Sequence, residues 1–400
     1  MKKQICLLGI FFLGLILTAQ EITHETIVVN IEVPVRVFDR GKFVENLTID
    51  DFEVYEDGKL QNVVAVYMIK KTQIEKKEEK KKFEPETSRS FYLFFEITEY
   101  SPRLQEAIEY FFQYVLTPDD DLTIITPMRT YSMKNDTLNT LPNSEIVKQL
   151  RGILRRDALM GSAEYRSALD DLKALARRIA GTDKRDEYSA PEYDEMEFDQ
   201  MLSFYPPILQ KLENIRQVDQ QRLMEFANIL KEKEGQKHVF LFYQREFIPK
   251  INPSLLTAIM SNSQERQDVL FKLSDLFEFY RRDIPVDVDR VKQAYSDASI
   301  SIHFLFFTKP AEHVPGLVFE EHSEDIFAPF IEMAKATGGS AESSSNPKFL
   351  FEKAVESSEN YYLLYYSPSS YQRDGKFKSI KVKVRNKDYK VTHRAGYFAN

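Results

Sequence analysis

Four polar side chains, Glu96, Thr98, Glu99 and Tyr100, crowd the end of one apolar run, Phe91-Tyr92-Leu93-Phe94-Phe95. A second run, Val239-Phe240-Leu241-Phe242-Tyr243, ends in Gln244 and Arg245, and a third, Asp121 to Ile125, ends in Thr126. Short continuous apolar runs predict strands buried on both faces. Where such strands alternate with helices, ligands bind at the carboxyl ends of the strands. These residues are therefore the candidate site. Glu96 and Glu99 are two carboxylates three residues apart, the residue types that glycosidases pair. Carboxylate-based hydrolysis is thus one chemistry open to the chain, as a distant alternative to binding.

Other catalytic sets are missing from the sequence. It has no G-x-x-x-x-G-K-[ST] or G-x-G-x-x-G phosphate loop, no G-x-S-x-G elbow and no His-Glu-x-x-His or cysteine cluster. The six histidines are scattered at 24, 238, 303, 313, 322 and 393. His303 alternates within an apolar run and reads as a core residue, because one histidine without partners makes no general base. His313 and His322 share a loop with Glu312, Glu320 and Glu321, at spacings that match no regular metal-ligand pattern.

The N-terminus bounds where any of this chemistry would happen. Lys2 and Lys3 precede an apolar stretch from Ile5 to Leu17, then Thr18-Ala19-Gln20-Glu21. A positive start, a short apolar core and a small residue before a polar segment make a secretory signal, so 1–20 is expected to be removed and the protein exported, periplasmic or secreted. Cys6, the only cysteine, lies too early in the core to accept a lipid. The remaining chain then has no disulfide and no thiolate site. Its core must come from burial, supplied by 30 Phe and 21 Tyr in the absence of Trp. A net charge of −8 argues against nucleic acid, which needs a basic footprint. No later segment is apolar enough for stable membrane insertion.

Ile27 to Val37 and Asp51 to Ile69 alternate as half-buried strands do, with turns at Asp39-Arg40-Gly41-Lys42 and Asp57-Gly58. Asp-Gly between alternating runs is a strong hairpin signal. Glu75 to Lys82 is nearly all charge and reads as a solvated linker or exposed helix. Beyond it, the buried runs at 91–95, 121–126, 239–243 and 300–307 alternate with amphipathic helices at 104–116, 145–156, 165–179, 223–233, 286–298 and 325–336. That alternation predicts an α/β fold with a doubly wound, mostly parallel sheet flanked by helices. A small β module would come from the two ends, which meet around the inserted α/β part. The expected organisation is a signal at 1–20, an N-terminal β segment at 21–71, a charged linker at 72–88, an α/β domain at 89–358 with an acidic insertion near 182–200, and a C-terminal β segment at 359–400.

In order and context these elements resemble the von Willebrand factor type A superfamily. That family begins with a buried strand ending in Asp-x-Ser-x-Ser, matched here by Glu96-Ile97-Thr98-Glu99-Tyr100, and follows its first helix with Pro-x-Asp, matched by Pro118-Asp119-Asp120. Gly161-Ser162 through Ala168-Leu169 is similar to its Gly-Thr-x-x-x-x-Ala-Leu helix start, and Thr337-Gly338-Gly339 to a later Thr-Gly-Gly. Asp51-Phe52-Glu53-Val54-Tyr55-Glu56-Asp57-Gly58-Lys59 and Arg394-Ala395-Gly396-Tyr397 resemble flanks of exported bacterial members.

The resemblance implies an adhesion site for a divalent cation such as Mg²⁺, but the matching positions depart from it. The ligand Asp is Glu96, the serines are Thr98 and Tyr100, the Thr is Ser162, and Thr-Asp-Gly is Tyr243-Gln244-Arg245. Glu96, Thr98 and Ser162 could still supply oxygens. However, Gln244 removes the second carboxylate that a hard cation favours, and Arg245 brings a cation of its own. A Glu96–Arg245 salt bridge in place of the ion is the simplest expectation. The function expected is non-enzymatic protein binding at Glu96, Thr98, Glu99, Tyr100, Ser162, Gln244 and Arg245. It would need no cofactor, and the partner would be another envelope or extracellular protein. Binding through a divalent cation at the altered site is the alternative.

Overall fold

The strand Ile31–Asp39 finds its partners at the far end of the chain, pairing antiparallel with Asn360–Tyr366 and with Lys390–His393. In the computed structural model the described residues are 29–133, 137–181, 198–216, 219–262, 264, 266–278, 286–308, 312–321 and 324–400. The expected signal at 1–20, His24, His322 and the acidic stretch up to 197 lie outside them.

The first six strands are β1 (Ile31–Asp39), β2 (Lys42–Phe43), β3 (Phe52–Glu56), β4 (Lys59–Gln61), β5 (Val63–Lys70) and β6 (Gln73–Glu79). There follow β7 (Arg89–Glu96), α1 (Pro102–Tyr110), β8 (Asp121–Ile125), β9 (Thr130–Met133), α2 (Thr137–Thr140), α3 (Asn143–Gly161), α4 (Ala163–Ile179), α5 (Phe198–Ile215) and α6 (Gln220–Lys231). Next come β10 (Gln236–Gln244), β11 (Phe247–Ile251), α7 (Pro253–Asn262), α8 (Gln267–Glu278), α9 (Val288–Asp297), β12 (Ile300–Phe307), β13 (Leu317–Glu321) and α10 (Glu324–Ala336). The chain closes with β14 (Ser340–Ser344), α11 (Pro347–Glu359), β15 (Asn360–Tyr366), β16 (Phe377–Val384), β17 (Lys390–His393) and β18 (Gly396–Phe398).

Two antiparallel sheets are built jointly by the two ends. One runs β17-β1-β15-β5-β6 with β2 on β1, the other β18-β16-β3-β4. β16 has period two, with Ile380, Val382 and Val384 buried while Lys381 and Lys383 are exposed, as one wet and one packed face require. β1, β5 and β15 are buried on both faces, Tyr67, Ile69, Tyr361 and Leu363 forming a second cluster behind the first. The packed faces share a core that includes Val33, Val35, Val54, Leu364, Tyr366 and Val382. Both expected tight turns form, with positive φ at Arg40-Gly41 and Asp57-Gly58, the backbone that two-residue hairpins need. Inside this core the carboxylate of Glu56 accepts hydrogen bonds from Tyr366 (2.6 Å) and Tyr397 (2.9 Å). β3 is thus joined to β15 and β18, from the other end of the sequence, by buried contacts.

A third sheet has the order β14-β12-β10-β7-β8-β9. Its first four pairings are parallel and the last, β8 with β9, is antiparallel. Helices α1, α3 and α11 cover one face through Leu104, Leu150 and Phe351, and α6, α9 and α10 the other through Leu230, Val291 and Met333. At the foot of β7 the Arg89 guanidinium grips Asp120 with two hydrogen bonds, 2.9 and 2.6 Å, both side chains being buried. Removing one partner of such a pair costs about 3–5 kcal/mol. A fourth core packs α4, α5 and α8 against the two-stranded β11–β13 sheet.

The expectation of a doubly wound, mostly parallel sheet with a small β module is overturned. Three of the four described sheets are antiparallel and hold twelve of the eighteen described strands. The remaining sheet is mixed. The fold is α/β with mostly antiparallel sheets. The physical reason lies in the two ends, which with β1 to β6 and β15 to β18 supply ten of the twelve antiparallel strands and so build far more than a small module. β6 passes through the charged stretch expected to be linker, exposed along its whole length and paired only with β5. Lys and Glu on such a strand protect a sheet edge from further pairing. β9 and β14 are equally unmarked by apolar runs, β13 has only Leu317-Val318-Phe319, and Phe198 to Gln200, expected in the acidic insertion, begin α5.

The antiparallel sheets and the mixed sheet meet at a buried seam. Arg36 reaches the carbonyl oxygen of Gly338 (3.4 Å) and Ser301 (3.3 Å). A Cβ at Gly339 would stand 1.8 Å from the Ile302 oxygen, and the Thr337 hydroxyl accepts the Ile302 N–H at 3.1 Å. Close backbone approach therefore accounts for Thr337-Gly338-Gly339. His238 and His303 lie fully buried here, with His303 Nδ1 3.0 Å from Ser340 and its ring stacked on Phe240 at 4.8 Å. Burial first, and then the charge of Arg36, pushes His303 down to about 3 and His238 well below its usual value.

Both rings thus stay neutral when folded but protonate near pH 6.5 when unfolded. The stability present at neutral pH should be lost progressively as pH falls below about 6.5. Thermal melts of His303→Gln should show a shallower decline than wild type between about pH 6.5 and 4. An identical decline would contradict the assignment.

Candidate functional site

Adjacent parallel strands bring the candidate residues together. β7 and β10 are in register with Tyr243 opposite Glu96, so the loop after Glu96 runs beside Gln244. The Gln244 side chain is buried, and its Oε1 accepts the N–H of Thr98 (2.9 Å), the N–H of Glu99 (3.1 Å) and the Thr98 hydroxyl (3.2 Å). A neutral amide suits this position, because it satisfies the turning backbone without burying a charge. Ser162, between α3 and α4, lies 2.7 Å from the carbonyl oxygen of Thr98 and 2.6 Å from that of Ala158, and accepts from Arg166 Nε at 3.2 Å. The loop ends where Ser101 caps α1, its Oγ accepting from the Arg103 N–H, with Pro102 at the first helical position. A fixed φ there is pre-organised for the helix. Glu99 projects from this braced loop and is exposed.

On the opposite side of β10, Tyr243 points toward Arg216 at the end of α5. The guanidinium stacks over the Tyr243 ring at 4.7 Å and the Tyr165 ring at 5.6 Å. Its Nε donates to Glu246 at 2.5 Å, which also accepts from the Tyr243 hydroxyl at 2.7 Å. Its Nη1 stands 3.8 Å from Glu96. Burial opposes the Arg216 charge, but Tyr243, Glu246 and Glu96 outweigh it and hold its pKa well above the ordinary value.

Glu96 retains 46 % of its side-chain surface and lines a cavity together with Phe94, Ile125, Phe226 and Tyr243. Desolvation therefore raises its pKa, with Arg216 acting against the shift and Glu246 adding to it.

The expected Glu96–Arg245 salt bridge is not formed. Arg245 turns the other way, pairing with both oxygens of Glu321 on β13, bonding Ser343 and lying 4.7 Å over the Phe327 ring. The backbone explains it: Arg245 follows the last residue of β10, and its N–H bonds the Phe307 carbonyl, which fixes it toward β12. Tyr100 also leaves the group. Its ring packs on the core beneath α1 and α3, its hydroxyl is buried with no partner among the described residues, and burial lifts it to about 12. Thr126 serves the β8–β9 turn, donating to Asp157 at 2.9 Å and accepting from the N–H of Arg129 at 3.0 Å. The structure therefore brings together Glu96, Thr98, Glu99, Ser162 and Gln244, and separates Tyr100 and Arg245 from them.

These residues do not fit a hard divalent cation. Glu96 is the one buried-side carboxylate among them and is turned toward Arg216, while the oxygens of Thr98, Ser162 and Gln244 are engaged with one another and with the backbone. Mg²⁺ demands near-octahedral oxygen geometry and keeps carboxylates in its shell. Among the described residues no group of three or more His, Cys, Asp or Glu is placed to hold a metal ion. Arg216 and Glu246 were missed by sequence reasoning. Arg216 ends a helix that no motif marks, whereas Glu246, immediately after Gln244-Arg245, could have been found as a carboxylate at a strand end.

Replacing Gln244 with Leu should leave the Thr98 and Glu99 amides without a partner, at about 1–3 kcal/mol for each. Urea unfolding should show the loss, and amide exchange at Thr98 and Glu99 should accelerate. Unchanged stability together with unchanged exchange would show that the loop is held by something else.

Comparison with known proteins finds no matching family model and no matching curated protein. Among solved structures, the human COPII-coat protein Sec24c is similar at a TM-score of 0.28 and 9% identity, with 79% of this chain covering 44% of that one. The TFIIH p34 N-terminal domain is similar at 0.22 and 9%, over 67% of this chain and 96% of the other. The chain thus spans less than half the length of the Sec24c structure, and similarity at this level carries no conclusion about fold or function.

Proposed function

We propose that the chain is a non-enzymatic, extracytoplasmic binding protein with an adhesion or scaffolding role, and that it meets a protein partner at the Glu96–Ser101 loop without a metal ion. The observation that carries this reading is the Gln244 side chain, whose single oxygen fixes three donors of that loop and so presents exposed Glu99 on a rigid base. Pre-organisation of this kind lowers the entropy a binding loop loses on association. The balance of residues at the strand ends favours contact over turnover, since Thr98, Ser162 and Gln244 are consumed by structural bonds.

The exported setting rests on the sequence reading of 1–20. Kinship to the von Willebrand factor type A superfamily rests on the order of motifs, several of which have structural duties here: Asp120 with Arg89, and Thr337-Gly338-Gly339 against Ile302. No helix among the described residues is long and apolar enough to cross a membrane.

Chemical cross-linking in the cell envelope should recover one specific protein with the wild-type chain, and Glu96→Ala/Glu99→Ala should lose it at equal bait stability. Recovery of the same set by both baits would refute a partner site on this loop.

A further inference from the structure

Between the mixed sheet and helices α6, α9 and α10 lies a cavity of about 430 Å³. Phe94, Tyr243 and Phe304 come to it from three neighbouring strands, and Phe226, Tyr295 and Phe330 from the three helices. Protein interiors are otherwise close-packed, and an unfilled space forfeits the dispersion contacts that its lining could make. A volume of this size, mostly apolar with a few polar groups at one end, has the character of a small-ligand site. The aromatic lining favours a flat ring, which can stack or meet those rings edge-on.

The polar end is formed by Glu96, Arg216, Asp219 and Arg222. Arg222 is largely exposed and pairs with Asp219 at 3.2 Å. Arg216 is different: its side chain is only 9% exposed, and its Nη2 is buried with no hydrogen-bond partner among the described residues. Buried N–H donors are almost always satisfied, so this one is a donor lacking its acceptor. Glu96, at 3.8 Å from Nη1, is beyond the length of a charge-assisted hydrogen bond and keeps acceptor capacity. A carboxylate-headed ligand would be drawn to Arg216 and Arg222 but repelled by Glu96 and Asp219. An ammonium-headed one would be drawn to the two acids but repelled by the two guanidinium groups. A neutral amide avoids both repulsions, because its carbonyl accepts from Nη2 while its N–H donates to Glu96.

We propose that this cavity binds an aromatic group bearing a neutral amide, the ring held among Phe94, Phe226 and Phe304 and the amide held by Arg216 and Glu96. Such a group arrives either as a free small amide or as an aromatic side chain of a peptide. In the second case the cavity would receive an anchor residue beside the Glu96–Ser101 loop, where buried aromatic anchors carry much of an interface's energy. The site itself does not depend on the partner reading. Capture failing while small-probe binding succeeds would sink that reading alone, and the reverse would sink only the cavity.

The absence of Trp from the chain allows a direct test, since the emission of N-acetyl-tryptophanamide has no protein indole background. Titrated with the full chain, it should show a saturable blue shift and rising anisotropy, with a dissociation constant on the order of 0.1 mM for a ligand of this size. The anion N-acetyl-tryptophan and the cation tryptamine should each bind at least about tenfold more weakly, a comparison that needs no protein variant. Leu241→Phe, which narrows the cavity, should weaken the amide similarly. Tighter binding of an end-blocked Ala-Trp-Ala tripeptide assigns the ligand to a peptide, and its exclusion assigns it to a free amide; the site stands either way. No saturable signal at millimolar amide, equal binding of all three head groups, or binding indifferent to Leu241→Phe would each overturn the proposal.

Discussion

A guanidinium that cannot shed its charge is buried at the top of the mixed sheet, and the groups around it are arranged to keep it there. Arg216 is held between the rings of Tyr243 and Tyr165, bonded to Glu246 and faced by Glu96. Desolvating such an ion is worth several kcal/mol against folding unless nearby charge and hydrogen bonds offset it. The same constraint explains why Glu246 is buried as a carboxylate, why the Tyr243 hydroxyl is turned to it, and why Glu96 faces inward rather than toward Arg245. One strand end thus carries two chemistries on two sides. Gln244 braces a loop with a neutral oxygen, and Tyr243 completes a cationic cage.

That division shapes what the site can bind. The loop side offers a rigid exposed acid, Glu99, on a backbone whose hydrogen bonds are already made. The cage side offers an aromatic cavity with one unsatisfied donor and one inward carboxylate. A divalent cation at Glu96 would have to compete with Arg216 for the same oxygens and would feel its repulsion. Positive charge is already supplied by the protein.

Much of this was legible in the sequence where a residue's type fixed its surroundings. The apolar runs at 91–95 and 239–243 do form neighbouring buried strands, and that adjacency alone brings Glu96, Thr98 and Glu99 beside Gln244. The Asp57-Gly58 turn formed because both residues tolerate positive φ. What periodicity could not show was pairing between distant segments. β6 is a strand because β5 offers it an edge, not because Glu and Lys prefer strands. The dominance of antiparallel sheets follows from the ten strands that the two ends contribute, β6 among them. The Glu96–Arg245 pairing failed for a related reason: charge complementarity named two plausible partners, but the backbone direction after β10 sent Arg245 to Glu321, and a helix end with no motif delivered Arg216 instead.

In the proposed metal-free site, Gln244 and Arg216 organise the strand ends. Calorimetric titration of the full chain with Mg²⁺, Mn²⁺ and Ca²⁺ tests it most directly. Wild type should give no saturable heat up to millimolar metal. Micromolar binding of any of the three, abolished by Glu96→Ala, would contradict it.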